Sequence, residues 1–198
     1  MKDQAIKLLN YPSDPKAAEP GWKNVTDECR ALSNDLMHDA EELLGLRTRF
    51  VALRVTEFNQ GPRTCFNDAV AYIRLGPGVG PRPNPTPDQA RQLKHQLAFE
   101  MVHVLSVFPG APLTALEKGA AAYFAVQVGG YTPQESGAPQ QYVEAYAAVA
   151  ELLDEYDNDA IKNLRNPLCS LNRITAASIR LGYPNCPEDL IARLTSEW

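Results

Sequence analysis

The chain has 198 residues, of which 44% are hydrophobic and 22% are charged, and its formal net charge is −5 at pH 7. This length and composition are typical of one globular domain with a substantial core. The acidic balance and the absence of a basic, aromatic-rich segment argue against a nucleic-acid partner. No apolar run approaches the roughly 20 residues that a membrane-spanning helix needs, so we expect no membrane partner.

The first residues predict an arm that precedes the domain. Residues 1–21 are polar and contain three prolines, so we expect the single domain to occupy residues 22–198. No apolar run typical of a signal peptide is present, which favours a cytoplasmic protein, or a secreted one if the native N-terminus was removed. No C-x-x-C pair occurs among the cysteines, which are Cys29, Cys65, Cys169 and Cys186. The spacing of the last two permits a disulfide, although reduced thiols are the expectation for a cytosolic chain.

Hydrophobic periodicity predicts a small N-terminal sheet followed by a mainly helical half. Apolar spacing indicates a first helix over residues 25–44. Enrichment in β-branched and aromatic residues predicts strands over residues 49–58 and 69–75, and the Pro- and Gly-rich residues 76–87 predict a loop. Further helices are predicted over residues 87–107, 113–128, 139–156, 159–164, 171–181 and 187–194. This order of strands and helices indicates an α+β domain.

The longest predicted helix carries an incomplete metal-binding motif. Residues 99–103 read FEMVH, which is the zinc-binding pattern H-E-x-x-H with Phe99 in place of the first histidine. The polar candidates on this helix are His95, Glu100 and His103. Because His95 and His103 are separated by about 12 Å along a helix axis, they cannot bind one zinc ion together. We therefore predict no metal and no cofactor.

A second motif lies in the next predicted helix. Residues 113–124 read LTALEKGAAAYF, which resembles the L-x-E-G-x-A-[DE]-[YF] helix that delivers an acidic third ligand in gluzincin-like peptidases. Aligned on Gly119 and Tyr123, the ligand position holds Lys118. A shift of one residue would place Glu117 there instead.

Taken together, these segments resemble the plant-type basic secretory protein family of plants, bacteria and fungi. FEMVHVL, EKGAAAYFAVQVGGYTP and AYAAVAELLDEY follow the order and spacing of the family's motifs, within a similarity that spans about residues 22–166. The resemblance implies a zincin-like fold and metallopeptidase activity. The chain departs from the family pattern at Phe99, Lys118, Ala122 and Ala147, so we expect a degenerate member.

The departures are physically linked. Without zinc, Glu100 would be a carboxylate buried in a cleft with no cation beside it, which is costly. An ammonium at Lys118 would replace the lost charge, and we expect it within about 4 Å of Glu100. The alternative is that Lys118 points to solvent and that Glu100 is protonated or exposed. His103 is either a base in the cleft or a hydrogen-bonded core residue.

These observations predict a pseudoenzyme that binds a small molecule or peptide in the former active cleft. One alternative is a metal-independent isomerase, cyclase or lyase, in which Glu100, His103 and Lys118 perform acid/base chemistry on a small molecule. A second alternative is a residual metallohydrolase. The side chains that we expect to line the binding cleft are His95, Phe99, Tyr123, Tyr131, Tyr142 and Tyr146.

Overall fold

The computed structural model describes residues 23–48, 50–59, 62–67, 70–106, 112–165 and 170–198. Over these residues the protein is α+β, as the sequence predicts, with a four-stranded sheet near the N-terminus and a mainly helical second half. The strands are β1 (Lys23–Asn24), β2 (Ala52–Glu57), β3 (Arg63–Asn67) and β4 (Val70–Leu75). The helices are α1 (Arg30–Leu44), α2 (Pro87–Leu105), α3 (Ala115–Gly129), α4 (Gln140–Glu155), α5 (Ala160–Arg165), α6 (Ala176–Gly182) and α7 (Glu188–Thr195).

The sheet brings a late strand between two earlier ones. Its spatial order is β1-β2-β4-β3, with β2 parallel to β4 and both outer strands antiparallel to their neighbours. Alternate residues of the two central strands, such as Val55 and Ile73, are fully buried in the core. In this order β3 is one of the two edge strands. It also contacts α2 and contributes to the cavity described below.

Helix α2 begins at a capping box. The Thr86 side chain accepts a hydrogen bond from the Gln89 backbone N at 3.2 Å, and the Gln89 side chain accepts one from the Thr86 backbone N at 3.0 Å. Pro87 occupies the first helical position, where the missing N–H costs nothing. One face of the helix is buried in the core through Leu97, Met101, Val104 and Leu105. Because this face is committed to the core, another face of α2 is left for the cavity.

Helices α3 and α4 approach closely at Gly119. A Cβ atom at this position would lie 2.3 Å from the Ala145 carbonyl oxygen and 2.7 Å from the Val149 side chain. Only glycine leaves room for this backbone contact. The contact holds in place the helical turn of α3 that carries Glu117 and Lys118.

A buried arginine joins the ends of separate helices. The Arg165 side chain on α5 is 2% exposed, and its Nη1 donates to the Leu44 carbonyl oxygen at 2.9 Å. Its Nη2 donates to the carbonyl oxygens of Leu46 at 2.6 Å and Leu105 at 3.0 Å. Carbonyl groups at the C-terminal ends of helices lack intrahelical partners, so the guanidinium satisfies them and ties α1 and α2 to α5.

Several predicted bounds differ from the structure. Helix α1 begins at Arg30 rather than near residue 25, because the Val25 backbone N donates to the Val55 carbonyl oxygen at 3.0 Å and so remains beside the sheet. The helix predicted over residues 171–181 is divided into a short 3-10 turn and α6, where the Thr175 side chain accepts from the Ser178 backbone N at 3.2 Å. The sequence patterns do not predict strands β1 and β3.

The remaining sequence-level expectations concern the arm, the thiols and membrane spans. The predicted arm at residues 1–21, Cys169 and the predicted end of the central helix at residue 107 lie outside the described residues. Free thiols are found at Cys29, Cys65 and Cys186. None of the helices in the described ranges combines the length and apolar character that crossing a membrane requires.

Candidate functional site

A cavity of about 840 Å³ lies between α2, α3, β3 and the loop that leads into α4. The α2 residues that line it recur every three or four positions, because residues at that spacing share one face of a helix. The α2 residues that line it, with the residue that follows the helix, are His95, Gln96, Phe99, Glu100, His103 and Ser106. Facing them are Glu117, Lys118 and Ala122 of α3, Thr64 and Phe66 of β3, and Tyr142 of α4.

His103 is the centre of the polar wall. It is 7% exposed, and its Nδ1 lies 2.7 Å from Oε1 of Glu117, which is 3% exposed. An ionised carboxylate can only accept, so Nδ1–H donates to Glu117, and Nε2 of the neutral imidazole is then an acceptor. Nε2 lies 3.3 Å from Nζ of Lys118, which donates to it in this tautomer. Carboxylate, imidazole and amine thus form one continuous hydrogen-bonded series, called here the Glu117–His103–Lys118 chain.

The amine of Lys118 faces the cavity in mixed surroundings. Burial lowers its pKa below the usual value of 10.5, while the charges of Glu100 and then Glu117 act in the opposite direction. Its Nζ lies 5.7 Å from the centroid of the Phe99 ring and 6.0 Å from that of Tyr142, which favours the ammonium form through cation–π attraction. The side chain points into the cleft, so the alternative in which it points to solvent is wrong.

Glu100 is buried but does not form the direct ion pair with Lys118 that we expected. Its side chain is 3% exposed, and Oε2 accepts a hydrogen bond from the Thr64 hydroxyl on β3. The carboxylate is therefore turned toward the sheet edge, and its charge reaches Lys118 at longer range. The pKa of Tyr142 is raised mainly by burial of its ring and also by the charge of Glu100.

Two of the expected binding residues on α2 line the cavity. The Phe99 ring meets the His103 ring edge-on, with centroids 5.6 Å apart. His95 lies two turns from His103, donates from Nδ1 to the Ala125 carbonyl oxygen at 3.2 Å, and has its pKa lowered by burial. The two histidines therefore do not converge, as the helical spacing predicts.

Three of the four expected tyrosines lie outside the lining of this cavity. Tyr123 and Tyr146 stack on each other between α3 and α4, with ring centroids 6.0 Å apart. The hydroxyl of Tyr131 donates to Asp88, and the Arg91 guanidinium lies 4.3 Å from its ring centroid. These rings pack helices and loops together, whereas Tyr142 is the tyrosine that reaches the cavity.

Sequence reasoning missed Thr64, the hydrogen-bond donor to Glu100. No motif surrounds this residue, and the sequence patterns do not predict the strand that carries it. Its role depends on the pairing of β3 with β4, in which Thr64 lies opposite Ile73. A signal for this contact exists only at the level of strand pairing, which a single sequence does not display.

The zinc ion that the resemblance implies does not fit these residues. A catalytic zinc needs three protein ligands, and Phe99 supplies no lone pair. The two ring nitrogens of His103 are engaged by Glu117 and Lys118. Across the described ranges, no group of three or more His, Cys, Asp and Glu side chains is placed to hold a metal ion.

Comparison of the chain with protein-family models, with curated proteins and with solved structures finds no match. The resemblance to basic secretory proteins therefore stays a prediction that rests on the sequence motifs.

Proposed function

We propose that the cavity is the active site of a metal-independent enzyme that performs acid/base chemistry on a small organic molecule. The observation that carries this proposal is the Glu117–His103–Lys118 chain, which runs from a buried carboxylate to an amine on the cavity wall. A positioned imidazole whose second nitrogen is held by a carboxylate is the usual arrangement of a general base.

Each residue of the chain has a distinct task. Glu117 holds the imidazole in the tautomer with the proton on Nδ1 and would stabilise the imidazolium when Nε2 accepts a proton. His103 transfers that proton between Lys118 and a bound molecule. Glu100, on the adjacent turn of α2, supplies a second carboxylate whose orientation is set by Thr64.

The walls of the cavity support a small-molecule substrate. A volume of about 840 Å³ is within the range of pockets that enclose small organic ligands, ~300–1,000 Å³. The Phe99 and Tyr142 rings, with centroids 5.8 Å apart, offer an aromatic surface beside the polar chain. Such a combination suits an isomerase, cyclase or lyase: the aromatic rings would hold the apolar part of the substrate while the polar residues move a proton.

We further propose that the protein is a degenerate member of the basic secretory protein family with a zincin-like fold. The position of Lys118 supports this idea, because its Nζ lies beside Nε2 of His103, where the resemblance would place a metal ion. A cationic side chain there is favoured by the charges of Glu100 and Glu117. Loss of zinc and gain of lysine are then complementary changes.

Ligand binding without chemistry is the second candidate function. The apolar part of the cavity lining supports it, since it contains prolines and an exposed leucine. These residues are Pro62, Leu113, Pro133 and Pro139. Such a lining suits contact with a small molecule or peptide and requires no proton transfer.

Proton exchange tests the proposed activity across several classes of small molecule at once. The protein is incubated in D₂O with a panel of small carbonyl compounds, hydroxy acids and amino acids, and loss of C–H signals is followed by proton NMR. We expect exchange or conversion of at least one compound. His103→Gln should reduce the rate by about 10²–10⁴-fold, the usual contribution of a general acid/base group.

His38→Gln is the matched control, because His38 is an exposed histidine on α1, with 72% of its side chain accessible. This variant should retain the wild-type rate. Equal rates for wild type and His103→Gln would exclude a catalytic role for the Glu117–His103–Lys118 chain. Binding of panel compounds with no conversion by either protein would favour the second candidate.

A further inference from the structure

We propose that Lys118 is a covalent nucleophile that forms a Schiff base with an aldehyde or ketone held in the cavity. This inference rests on the proposed function, because it uses the same Glu117–His103–Lys118 chain. It names carbonyl compounds as the substrate class. It also gives the amine a role beyond that of a fixed charge.

The position of the amine meets the first requirement for such chemistry. An amine attacks a carbonyl carbon only after it has lost its proton, so a base must lie within hydrogen-bond reach. Nε2 of His103 lies 3.3 Å from Nζ of Lys118. The carboxylate of Glu117, 2.7 Å from Nδ1, stabilises the imidazolium that receives the proton.

The surroundings of the amine meet the second requirement. Burial lowers the pKa of Lys118, which makes the neutral amine more accessible than on the protein surface. Phe99 and Tyr142 flank Nζ on the cavity side and offer their rings to the apolar part of a carbonyl compound. The charges of Glu100 and Glu117 act in the opposite direction and favour the ammonium.

The covalent step balances without a redox partner. The Lys118 ammonium gives one proton to Nε2, and the amine nitrogen forms a bond to the carbonyl carbon while the carbonyl oxygen takes that proton. The nitrogen then gives a second proton to Nε2, which passes it to the hydroxyl group. The C–O bond breaks, water leaves, and a protonated imine remains on Lys118 beside a neutral His103.

A surface lysine of the same protein provides an internal reference. Lys162 on α5 is 41% exposed in its side chain, and its Nζ lies 3.9 Å from a carboxylate oxygen of Asp159. Its ion pair favours the ammonium form, with no imidazole to accept the proton among its contacts in the described residues. Its reaction rate therefore represents an ordinary lysine under identical conditions.

Reductive trapping tests the inference on the full-length chain. The protein is incubated at neutral pH with propionaldehyde and sodium cyanoborohydride, which reduces an imine to a stable secondary amine. Peptide mapping by mass spectrometry then gives the modification rate of each lysine. We expect Lys118 to react about 10²-fold faster than Lys162, the low end of the contribution of a positioned acid/base group.

His103→Gln should reduce the rate at Lys118 to that of Lys162, whereas His38→Gln should leave it unchanged. Equal rates at Lys118 and Lys162 in the wild-type protein would overturn the inference, and so would a Lys118 rate that is unaffected by His103→Gln.

The two proposals can fail separately. Absence of trapping together with His103-dependent exchange in D₂O would remove the covalent role and retain the proposed function. Trapping at Lys118 without exchange or conversion of any compound would retain the reactive amine and remove the proposed enzymatic function.

Discussion

His103 is held from both sides by consecutive residues of α3. Glu117 and Lys118 are adjacent in the chain and about 100° apart around the helix, yet each contacts a different nitrogen of the same imidazole. The sequence motifs suggest that one of these two residues occupies a single ligand position. The structure uses both, because α3 lies close enough to α2 for the ring to fit between them.

The stability of the domain should not depend on Lys118. Burial lowers its pKa below the unfolded value, which means that folding disfavours the ammonium at this position. This balance already includes the favourable charges of Glu100 and Glu117. We expect Lys118→Met to unfold at the same urea concentration as wild type at pH 7, or at a higher one, while the trapping reaction is lost.

The pH dependence gives a second measure of the same substitution. Between the lowered folded pKa of Lys118 and its ordinary value of 10.5, the unfolded chain binds more protons than the folded one, so the free energy of unfolding should rise with pH. Lys118→Met should remove this rise, and the exposed-site control Lys162→Met should retain it. A large loss of stability at pH 7 would instead indicate an ammonium that the fold requires.

At the scale of elements, the site depends on how closely α3 packs against α4. The backbone contact at Gly119 leaves no room for a methyl group, and overpacking typically costs about 1–3 kcal/mol. We expect Gly119→Ala to lower the free energy of unfolding by this amount in urea titrations. Because the helix must shift to accept the methyl group, the trapping rate at Lys118 should also fall.

Gly182→Ala is the control for this substitution. A methyl group at Gly182, in the last turn of α6, would approach the Leu164 side chain at 3.2 Å, and a side-chain tip can move aside where a backbone carbonyl cannot. This variant should retain the trapping rate at Lys118. A Gly119→Ala protein with wild-type stability and trapping would show that the helix contact does not position the site.

Local sequence patterns predict most helices but only part of the sheet. The bounds of α2, α3 and α4 lie within two residues of the predicted ones, because capping residues and apolar spacing are local signals. Strand β3 has no such signal, since its five residues become a strand through pairing with β4. The sequence therefore indicates Glu100, His103 and Lys118 but not Thr64, which reaches the cavity from that strand.

At the scale of the whole molecule, Arg165 connects parts of the fold that are distant in sequence. Its removal would leave the carbonyl oxygens of Leu44 and Leu46 without this donor, and each unsatisfied buried group costs about 1–3 kcal/mol. The Leu105 carbonyl oxygen would keep the Thr48 backbone N–H at 3.1 Å. We expect Arg165→Met to lower the free energy of unfolding by about 3 kcal/mol or more, measured by urea denaturation.

Arg180→Met is the matched control. Arg180 pairs with Glu188 at the surface, with side chains 51% and 70% exposed, and exposed pairs contribute little to stability because solvent screens them. A similar small effect of both substitutions would show that Arg165 does not hold the helix ends. This role could not be predicted from the sequence, because a lysine or arginine near the end of a short helix is usually a surface residue.

The position of His103 between two helices has a consequence for how the site responds to motion. Both hydrogen bonds of its ring cross from α2 to α3, and both end on one turn of the latter helix. The Lys118 contact, at 3.3 Å, is already at the long end of the hydrogen-bond range, so a slide of one helix past the other would lengthen both contacts together. The imidazole would then lose both partners in one step, so the orientation of the His103 ring should depend directly on how closely α2 and α3 pack.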